Sequence, residues 1–586
     1  MPESLASTAN SPGQNAEASF EGIVQFLLDP ATYPENTGPV TLCETHISCV
    51  FLTSRYAYKL KKPVQFQFVD FRDHEARHRA CEDEVRLNRR LAGDVYLGVV
   101  PILRDADGKL RLGASGAARP SPQPSPPRGE GALKRQVVDW LVQMRRLPQD
   151  RMLDTLIENR RVRPADVERF SGVLVSFYRQ ARPLEMEPAK YRAEIERHVR
   201  ANRAELLDLR HHLPAPTVRR VHTAQLLLLT ALPEVLENRA SEGRVIEGHG
   251  DLRPEHICLE EEPVVFDCLE FSAELRRLDV VDELGFLAME CDYLGGGFVG
   301  RAVLEAYQQA SGDRPQERLL CFYQSYRACV RAKVAALRAE QLAGAAADTA
   351  RDTAWQYLQL ADGYARRLAA PFVLVTRGLS GSGKTTVARR LAEMLGAMRL
   401  GTDDVRREMP EQGSDSPPPF GQRPGEGSLT ADRPSPQPSP RRGEGELGAS
   451  AATATYAEGR YSPAARAAVY EELCRRASEL LEHRESVILD GTFLSAQWLE
   501  RAGAMAKGQG AHCLVIDCHC PDEVAKQRMA ARAADDKNLS EALPEHRRRQ
   551  AEELEAIPEG LVAVDLDTSG DVPDHQLAPL LRQLVE

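Results

Sequence analysis

Long apolar runs are missing from this chain, and the richest of them, Leu226 to Leu229, is far too short to span a bilayer. Residues 1–19 are polar and lack both the basic start and the apolar core of a secretion signal. These two absences predict neither membrane insertion nor export, and hence a cytoplasmic protein. The 12 cysteines include no paired C-x-x-C spacing, and Cys518-His519-Cys520 follows an apolar strand-like run instead of sitting in a zinc-binding frame, so reduced thiols are expected. Positive charge is not in excess either. A formal net charge of −11 and only 6% aromatic residues leave little with which to neutralise phosphates or stack bases, which disfavours a nucleic-acid partner and favours a small molecule.

What is present begins with size. At 586 residues, 42% of them apolar and 27% charged, the chain should fold around more than one core. Its sharpest motif is Gly378-Leu379-Ser380-Gly381-Ser382-Gly383-Lys384-Thr385-Thr386, which fills every fixed position of the pattern G-x-x-x-x-G-K-[ST]. An apolar run at 372–375 precedes it and an amphipathic helix at 386–395 follows, giving strand, phosphate-binding loop and helix. In such a loop the backbone N–H groups and the helix N-terminus face phosphate. Lys384 reaches the β- and γ-phosphates, and Thr385 is placed to ligate Mg²⁺.

About twenty residues on, a short strand leads into Gly401-Thr402-Asp403-Asp404-Val405-Arg406. Ligands of open α/β sheets sit at the carboxyl ends of strands, so Asp403 is the candidate base for an attacking hydroxyl. The competing role is an N-cap for a helix starting at Val405. Residues 487–490 form an apolar strand ending in Asp490, suited to holding Mg²⁺. A third strand at 513–516 leads to a helix bearing Arg528 and Arg532, one turn apart. They form either a cationic lid over the transferring phosphoryl group or a solvated basic face.

These strings (GLSGSGKTT, TDDVRREM, VILDGTF and RMAAR) resemble the P-loop kinases that phosphorylate hydroxyls, the group of polynucleotide 5′-kinase, gluconate kinase and zeta-type toxins. The resemblance covers 372–586 outside one insertion. It implies an α/β P-loop NTPase with a parallel sheet, ATP and Mg²⁺ as cofactors, Asp403 as base and Arg406 as a ligand of substrate phosphate.

A second set of motifs lies upstream. His249-Gly250-Asp251-Leu252-Arg253-Pro254-Glu255-His256 is followed by an apolar run at 263–266 that delivers Asp267, with Glu270 beside it. A catalytic Asp in a loop followed by a strand-borne metal Asp is the arrangement of protein-kinase-like folds. The loop resembles that of aminoglycoside phosphotransferases, which implies an α+β bilobal fold over about 20–345, with Asp251 as base and Asp267 for metal. His256 departs from the pattern. It stands where the family has a metal-binding Asn, and imidazole suits Zn²⁺ or Mn²⁺ better than Mg²⁺. A hairpin at 49–52 and 56–60 presents Lys59 as the phosphate-binding lysine, with Glu84 of a helix at 75–91 as its ion-pair partner. Lys61 is the competitor on the same face, and the bland alternative is a basic edge strand. A Gly-rich loop before Lys59 is missing, Gly38 and Pro39 being the only turn residues nearby. The strand at 137–144, ending at Leu147-Pro148, is expected to be the inter-lobe hinge, and the helical stretch 321–342 to complete the helical lobe.

One internal repeat interrupts both parts: RPSPQPSPPRGEG at 119–131 recurs as RPSPQPSPRRGEG at 433–445. The copies have no apolar periodicity and no fixed short period, so they are not solenoid units. They predict exposed excursions at about 114–133 and 411–452, explained best by a repeated element inserted in frame into two surface loops. The expected organisation is a disordered 1–19, a kinase-like domain 20–345, a helical linker 346–370 and a P-loop domain 371–586. The expected activity is ATP-dependent phosphorylation of a hydroxyl on a small metabolite, with chemistry in the P-loop domain. The alternatives are an ATP-gated regulatory module without transfer in the N-terminal part, and nucleic-acid 5′-end phosphorylation. Neither the acceptor nor the oligomeric state is legible.

Overall fold

The computed structural model describes residues 19–35, 37–66, 69–114, 136–409, 462–533 and 544–585, the side chains of Phe66, Val69, Arg532, Ala533 and Pro544 excepted. The Pro-rich excursions therefore fall outside the described residues, Ala114 apart. The chain divides into two compact units, Met1–Ala369 and Ala370–Glu586.

After a helix at Phe20–Leu28, the first unit forms a six-stranded antiparallel sheet of β1 (Thr41–Glu44), β2 (Ser48–Leu52), β3 (Tyr56–Lys61), β4 (Tyr96–Arg104), β5 (Leu110–Leu112) and β6 (Gln136–Arg145). Their spatial order is β1-β2-β3-β6-β4-β5. The lysine strand β3 is therefore paired on both sides, with β2 and with β6, and the edge-strand explanation of its lysines fails. Helix α1 (His74–Asn88) starts where the Asp73 carboxylate accepts the Ala76 N–H at 3.2 Å. Its Cys81 and Val85 pack with Val142 and Met144 of β6 in one apolar cluster.

The rest of this unit is mainly helical around one large core. Helices α2 (Glu317–Gln341) and α3 (Ala345–Ala365) form its end, with Gly344 reversing the chain between them at φ +58°, a conformation glycine adopts without steric cost. Buried alanines line both helices, Ala332, Ala336 and Ala339 on one and Ala347, Ala350 and Ala354 on the other. Tyr357, Leu358, Ala361 and Ala365 of α3 belong to the same core as Phe322 and Tyr323 of α2. The segment expected to be a linker is thus part of the first unit, because its apolar stripe is buried there.

In the second unit the strands are β7 (Phe372–Arg377), β8 (Met398–Gly401), β9 (Val487–Asp490), β10 (His512–His519) and β11 (Val562–Asp567). They form an all-parallel sheet in the order β8-β9-β7-β10-β11. Every residue of β7 is buried, as a central parallel strand covered on both faces requires. Helix α4 (Lys384–Leu395) follows β7, and α5 (Thr402–Glu408) follows β8 directly. Gly401 is the N-cap of α5 and makes no side-chain cap bond. Asp403 and Asp404 therefore lie inside the first helical turn, and the N-cap role is corrected. Helices α6 (Pro463–Glu482), α7 (Asp522–Ala533) and α8 (Pro544–Glu553) complete the frame. Among the described residues all cysteines are free thiols, and no helix is long and apolar enough to cross a membrane.

Candidate functional site

The phosphate-binding loop of the second unit joins the carboxyl end of β7 to α4. Its glycines are there for steric reasons. Gly378, Gly381 and Gly383 have φ of +141°, +81° and +85°. A Cβ on Gly378 would lie 2.3 Å from the Cys518 carbonyl oxygen, and one on Gly381 would lie 2.9 Å from that of Ala525. The loop is braced by residues that sequence reasoning missed. Arg547 of α8 donates to the carbonyls of Ser380 and Cys520 at 2.9 and 3.1 Å, and Gln550 accepts the Ser380 N–H at 2.8 Å. Thr568 donates to the Ser382 carbonyl at 2.5 Å. No motif marks these residues, since they reach the loop from far along the chain.

Three carboxylates converge at the neighbouring strand ends. Thr385 donates to Asp490 Oδ1 at 3.2 Å, and Arg399 of β8 donates to Asp490 Oδ2 at 2.7 Å. Burial pushes the Asp490 carboxyl up, while Lys384 and Arg399 pull it back toward the charged form. The second Arg399 nitrogen bridges to Asp404 at 2.5 Å, and Arg407 holds the other Asp404 oxygen at 2.7 Å. Asp404 is thereby clamped on both oxygens. Asp403 is not: it pairs with Arg406 at 2.5 Å through Oδ1, and its side chain is 42% exposed. Of the adjacent pair, Asp403 is thus the one with an open oxygen.

Arg528 faces the loop differently from a simple lid. One nitrogen, Nη2, is anchored to the carbonyls of Thr568, Ser569 and Gly570 at 2.6 to 3.3 Å. The other, Nη1, is buried without a hydrogen-bond partner among the described residues and lies 3.3 Å from where a Gly383 Cβ would stand. Ser382 Oγ is likewise buried and unpartnered. Unpaired buried donors beside a glycine cradle fit an anionic occupant such as a phosphate. The Arg532 side chain lies outside the described residues. Lys384 donates to the Leu379 carbonyl at 3.4 Å, curled over its own loop.

In the first unit, Lys59 is where the sequence placed it. Its ammonium lies 2.8 Å from Glu84 Oε1 and 2.7 Å from Asp267 Oδ1. Burial opposes its charge, but Asp267 and Glu84 outweigh that and raise its pKa well above the usual lysine range. Lys61 is no spectator: fully buried, it bonds the second oxygen of Glu84 at 2.7 Å and Glu270 at 2.5 Å. Asp267 is held at φ +60°, an uncommon conformation for a non-glycine residue, with its N–H on the Tyr96 hydroxyl at 3.1 Å.

The H-G-D loop is pinned from behind. Glu283, buried, accepts the N–H groups of His249 and Gly250 at 2.7 Å each and the Tyr178 hydroxyl at 2.8 Å. His249 contacts the Phe266 carbonyl at 2.8 Å, tying the loop to the Asp267 segment. Burial holds His249 down to about 4, so it is neutral at pH 7. Asp251 accepts from Arg253 at 2.9 Å. Burial would raise its carboxyl, yet Arg253 and His256 keep it below the usual range. His256 Nδ1 meets the Asp251 carbonyl at 2.8 Å, and Nε2 lies 3.3 Å from Arg253 and 3.5 Å from Asp267. The histidine thus spans the loop and the Asp267 carboxylate. Among the described residues no group of three or more His, Cys, Asp or Glu side chains could hold a metal ion by itself. Where a Gly-rich loop is missing, a tight turn joins β1 to β2, closed by Thr45 and Ser48 bonds of 2.9 and 3.0 Å.

Residues 373–557 match the AAA-domain family AAA_33. Solved structures with similar parts include a gluconokinase from Sinorhizobium meliloti 1021, 17% identical with a TM-score of 0.22 over 37% of this chain and 91% of its own. Another is a choline/ethanolamine kinase family protein from Mesorhizobium loti, 14% identical with a TM-score of 0.33 over 59% of this chain and 99% of its own. Uncharacterized proteins of Mycobacterium tuberculosis (Rv2004c) and Mycobacterium bovis (Mb2027c) are each 32% identical over 498 residues, 84% of this chain and 86% of theirs. The chain therefore belongs to the same family as these mycobacterial proteins, and residues 373–557 of its second unit match an AAA domain that carries the P-loop.

Proposed function

We propose that the chain is an ATP-dependent kinase that moves the γ-phosphoryl group to a hydroxyl of a small metabolite, with the chemistry in the second unit. The observation that carries this reading is the meeting of three strand ends: the glycine cradle after β7, Asp403 after β8 and Asp490 at the end of β9. The cradle with its unpaired Ser382 and Arg528 donors suits the phosphates of ATP. Thr385 and Asp490, 3.2 Å apart, form a hydroxyl and carboxylate pair fit to hold Mg²⁺, which when bound neutralises phosphate charge.

Lys384 and Arg528 would supply positive charge where the transferring group passes. Asp403 would take the proton of the attacking hydroxyl on its open oxygen while Arg406 holds its other oxygen in place. The acceptor oxygen then bonds to the γ-phosphorus as the bond to the ADP oxygen breaks. The first unit is read as a second ATP-binding site, with Lys59, Glu84, Asp267 and Asp251 in the kinase-like arrangement.

The test compares the intact protein with Lys384→Ala, Asp403→Asn and Asp251→Ala in Mg²⁺-dependent phosphoryl transfer to a pooled metabolite and oligonucleotide panel. Loss in Lys384→Ala and Asp403→Asn, with transfer kept in Asp251→Ala, supports the reading. Transfer that survives both second-unit substitutions and is lost in Asp251→Ala moves the chemistry to the first unit. Label on oligonucleotides alone would replace the small-metabolite acceptor with a nucleic-acid end.

A further inference from the structure

Past Asp490, β9 runs into the turn Gly491-Thr492-Phe493, which is held against its own preference. Phe493 has φ +44° and is wholly buried. A bulky residue in the left-handed region is a true outlier, and such strain persists only where neighbouring groups over-determine it. Here the neighbour is Tyr470 of α6. Its hydroxyl oxygen accepts the Phe493 N–H at 2.8 Å, and the two rings meet edge to face with centroids 5.0 Å apart. Trp498 also stacks on the Tyr470 ring, at 5.2 Å and 17°.

Tyr470 is buried, and a buried hydroxyl needs an acceptor for its own hydrogen. Thr492 Oγ1, 3.2 Å away, is the acceptor that stands beside it among the described residues. Burial pushes the Tyr470 hydroxyl above the usual tyrosine range, so it stays a neutral donor at pH 7. One hydroxyl thus holds two successive residues, Thr492 by its side chain and Phe493 by its backbone. The turn in its own right touches both halves of the candidate site. The Thr492 carbonyl accepts the N–H of Gly378, the first glycine of the phosphate-binding loop, at 3.3 Å. Gly491 leaves no room for a side chain: a Cβ there would lie 2.8 Å from the Thr402 methyl, 3.1 Å from the Phe493 ring and 3.2 Å from the Tyr470 oxygen. Thr402 opens α5 and directly precedes Asp403. Asp403 and Arg406 are near enough to act on the charge of Tyr470, and Arg476 of α6 pairs with Glu408 at the end of α5. The phosphate-binding loop, Asp490 and the helix of Asp403 therefore meet at this turn.

We propose that Tyr470 is a positioning residue of the second unit: by holding Gly491-Thr492-Phe493 in its strained form, its hydroxyl sets where Asp490 and Asp403 stand relative to the phosphate-binding loop. It acts through the turn and not on the reacting atoms. Phenylalanine in its place keeps both ring contacts and loses only the oxygen, which leaves the Phe493 N–H buried without a partner and the turn free to relax. The loss should fall on the transferring group, which passes between Asp490 and Asp403. The phosphates of ADP would keep a cradle braced separately by Arg547, Gln550 and Thr568. This role rests on the kinase reading of the second unit.

The test is titration calorimetry of the full chain in Mg²⁺ with two probes, ADP alone and ADP with aluminium fluoride, a mimic of the transferring phosphoryl group. Binding that persists in Lys384→Ala is assigned to the first unit and subtracted. Tyr470→Phe is expected to bind ADP within about twofold of the intact chain while losing about tenfold of the affinity for the fluoride complex. Thr492→Val, which removes the hydroxyl's other partner, is expected to show the same split at about threefold. Equal weakening of both probes would make Tyr470 a structural part of the nucleotide loop and overturn the positioning role. Unchanged affinity for both, or an intact chain that gains nothing from fluoride, would overturn it too. Circular-dichroism melts establish that the variants are folded, and Thr492→Val carries the same comparison should Tyr470→Phe not fold. An intact chain that binds no more ADP than Lys384→Ala would overturn the kinase reading itself and Tyr470's role with it, whereas ADP binding without the split sinks the role alone.

Discussion

Arg399 donates to Asp490 at 2.7 Å and with its other nitrogen holds Asp404 at 2.5 Å, so one guanidinium fixes the spacing of two acids at adjacent strand ends. Asp490 is 3% exposed, and a buried carboxylate that loses its cation is costly. Arg399→Gln is expected to destabilise the protein by about 3 kcal/mol, at the low end for breaking a buried pair, because Arg399 itself is partly exposed. Chemical denaturation checks this, and adding Asp490→Asn to Arg399→Gln should recover part of the loss. A fully additive double variant would mean that the two side chains are not coupled.

Gly378→Ala should remove ATP binding without unfolding the second unit. The new methyl would stand 2.3 Å from the Cys518 carbonyl oxygen and 2.6 Å from Ser382 Oγ, so the loop must move off its brace. Fluorescent nucleotide titration should show at least a tenfold weaker affinity, with the melting transition shifted by only a few degrees. Unchanged affinity would show that nucleotide binding does not depend on this loop shape.

Lys61 and Lys59 share Glu84 but differ in burial, 0% against 11% exposed side chain. Lys61→Met leaves Glu84 and Glu270 facing each other in the core and is expected to cost about 3–5 kcal/mol. Lys59→Met leaves Asp267, which is 40% exposed and reaches solvent, so its cost should be visibly smaller. Urea midpoints compare the two, and a larger loss in Lys59→Met would reverse their assignment as structural and ligand-facing lysines.

Acid should weaken the first unit through its buried histidines. Burial depresses His198, His222 and His249 to about 4, against an ordinary value near 6.5. A group with a depressed folded value is protonated more readily in the unfolded chain. Its contribution is complete above pH 6.5 and is lost as pH falls toward 4. For the fully buried His222 the loss is on the order of 3 kcal/mol. His222→Leu should therefore flatten the fall in melting temperature between pH 6.5 and 4. An unchanged slope would show that His222 is not buried in its neutral form.

Much of this was readable in the chain because it is local. The strand-loop-helix around Lys384 follows from an apolar run, three glycines and an amphipathic stretch, and the structure reproduces it within two residues at the helix start. The β2–β3 hairpin and the helix carrying Glu84 follow from similar short-range patterns. Segments whose fate depends on what packs against them are not legible in the chain. Residues 346–370 have the composition of a linker, yet Tyr357 and Leu358 find the core formed by α2. Helix α5 starts at Thr402, three residues before the expected Val405, because Gly401, not an acidic side chain, ends the strand and begins the helix.

The sequence by itself determined the two kinds of phosphate-handling motif, the order in which they occur and the identity of the acids near them, because each motif is a short stretch whose backbone chemistry is fixed by its own residues. Only the tertiary structure decided which acid of the Asp403–Asp404 pair keeps an open oxygen, that Lys61 belongs to a buried charge cluster, and that Arg547, Gln550 and Thr568 brace the loop. Those are relations between residues far apart in the chain. Their energies come from burial and distance, and neither exists until the chain has folded.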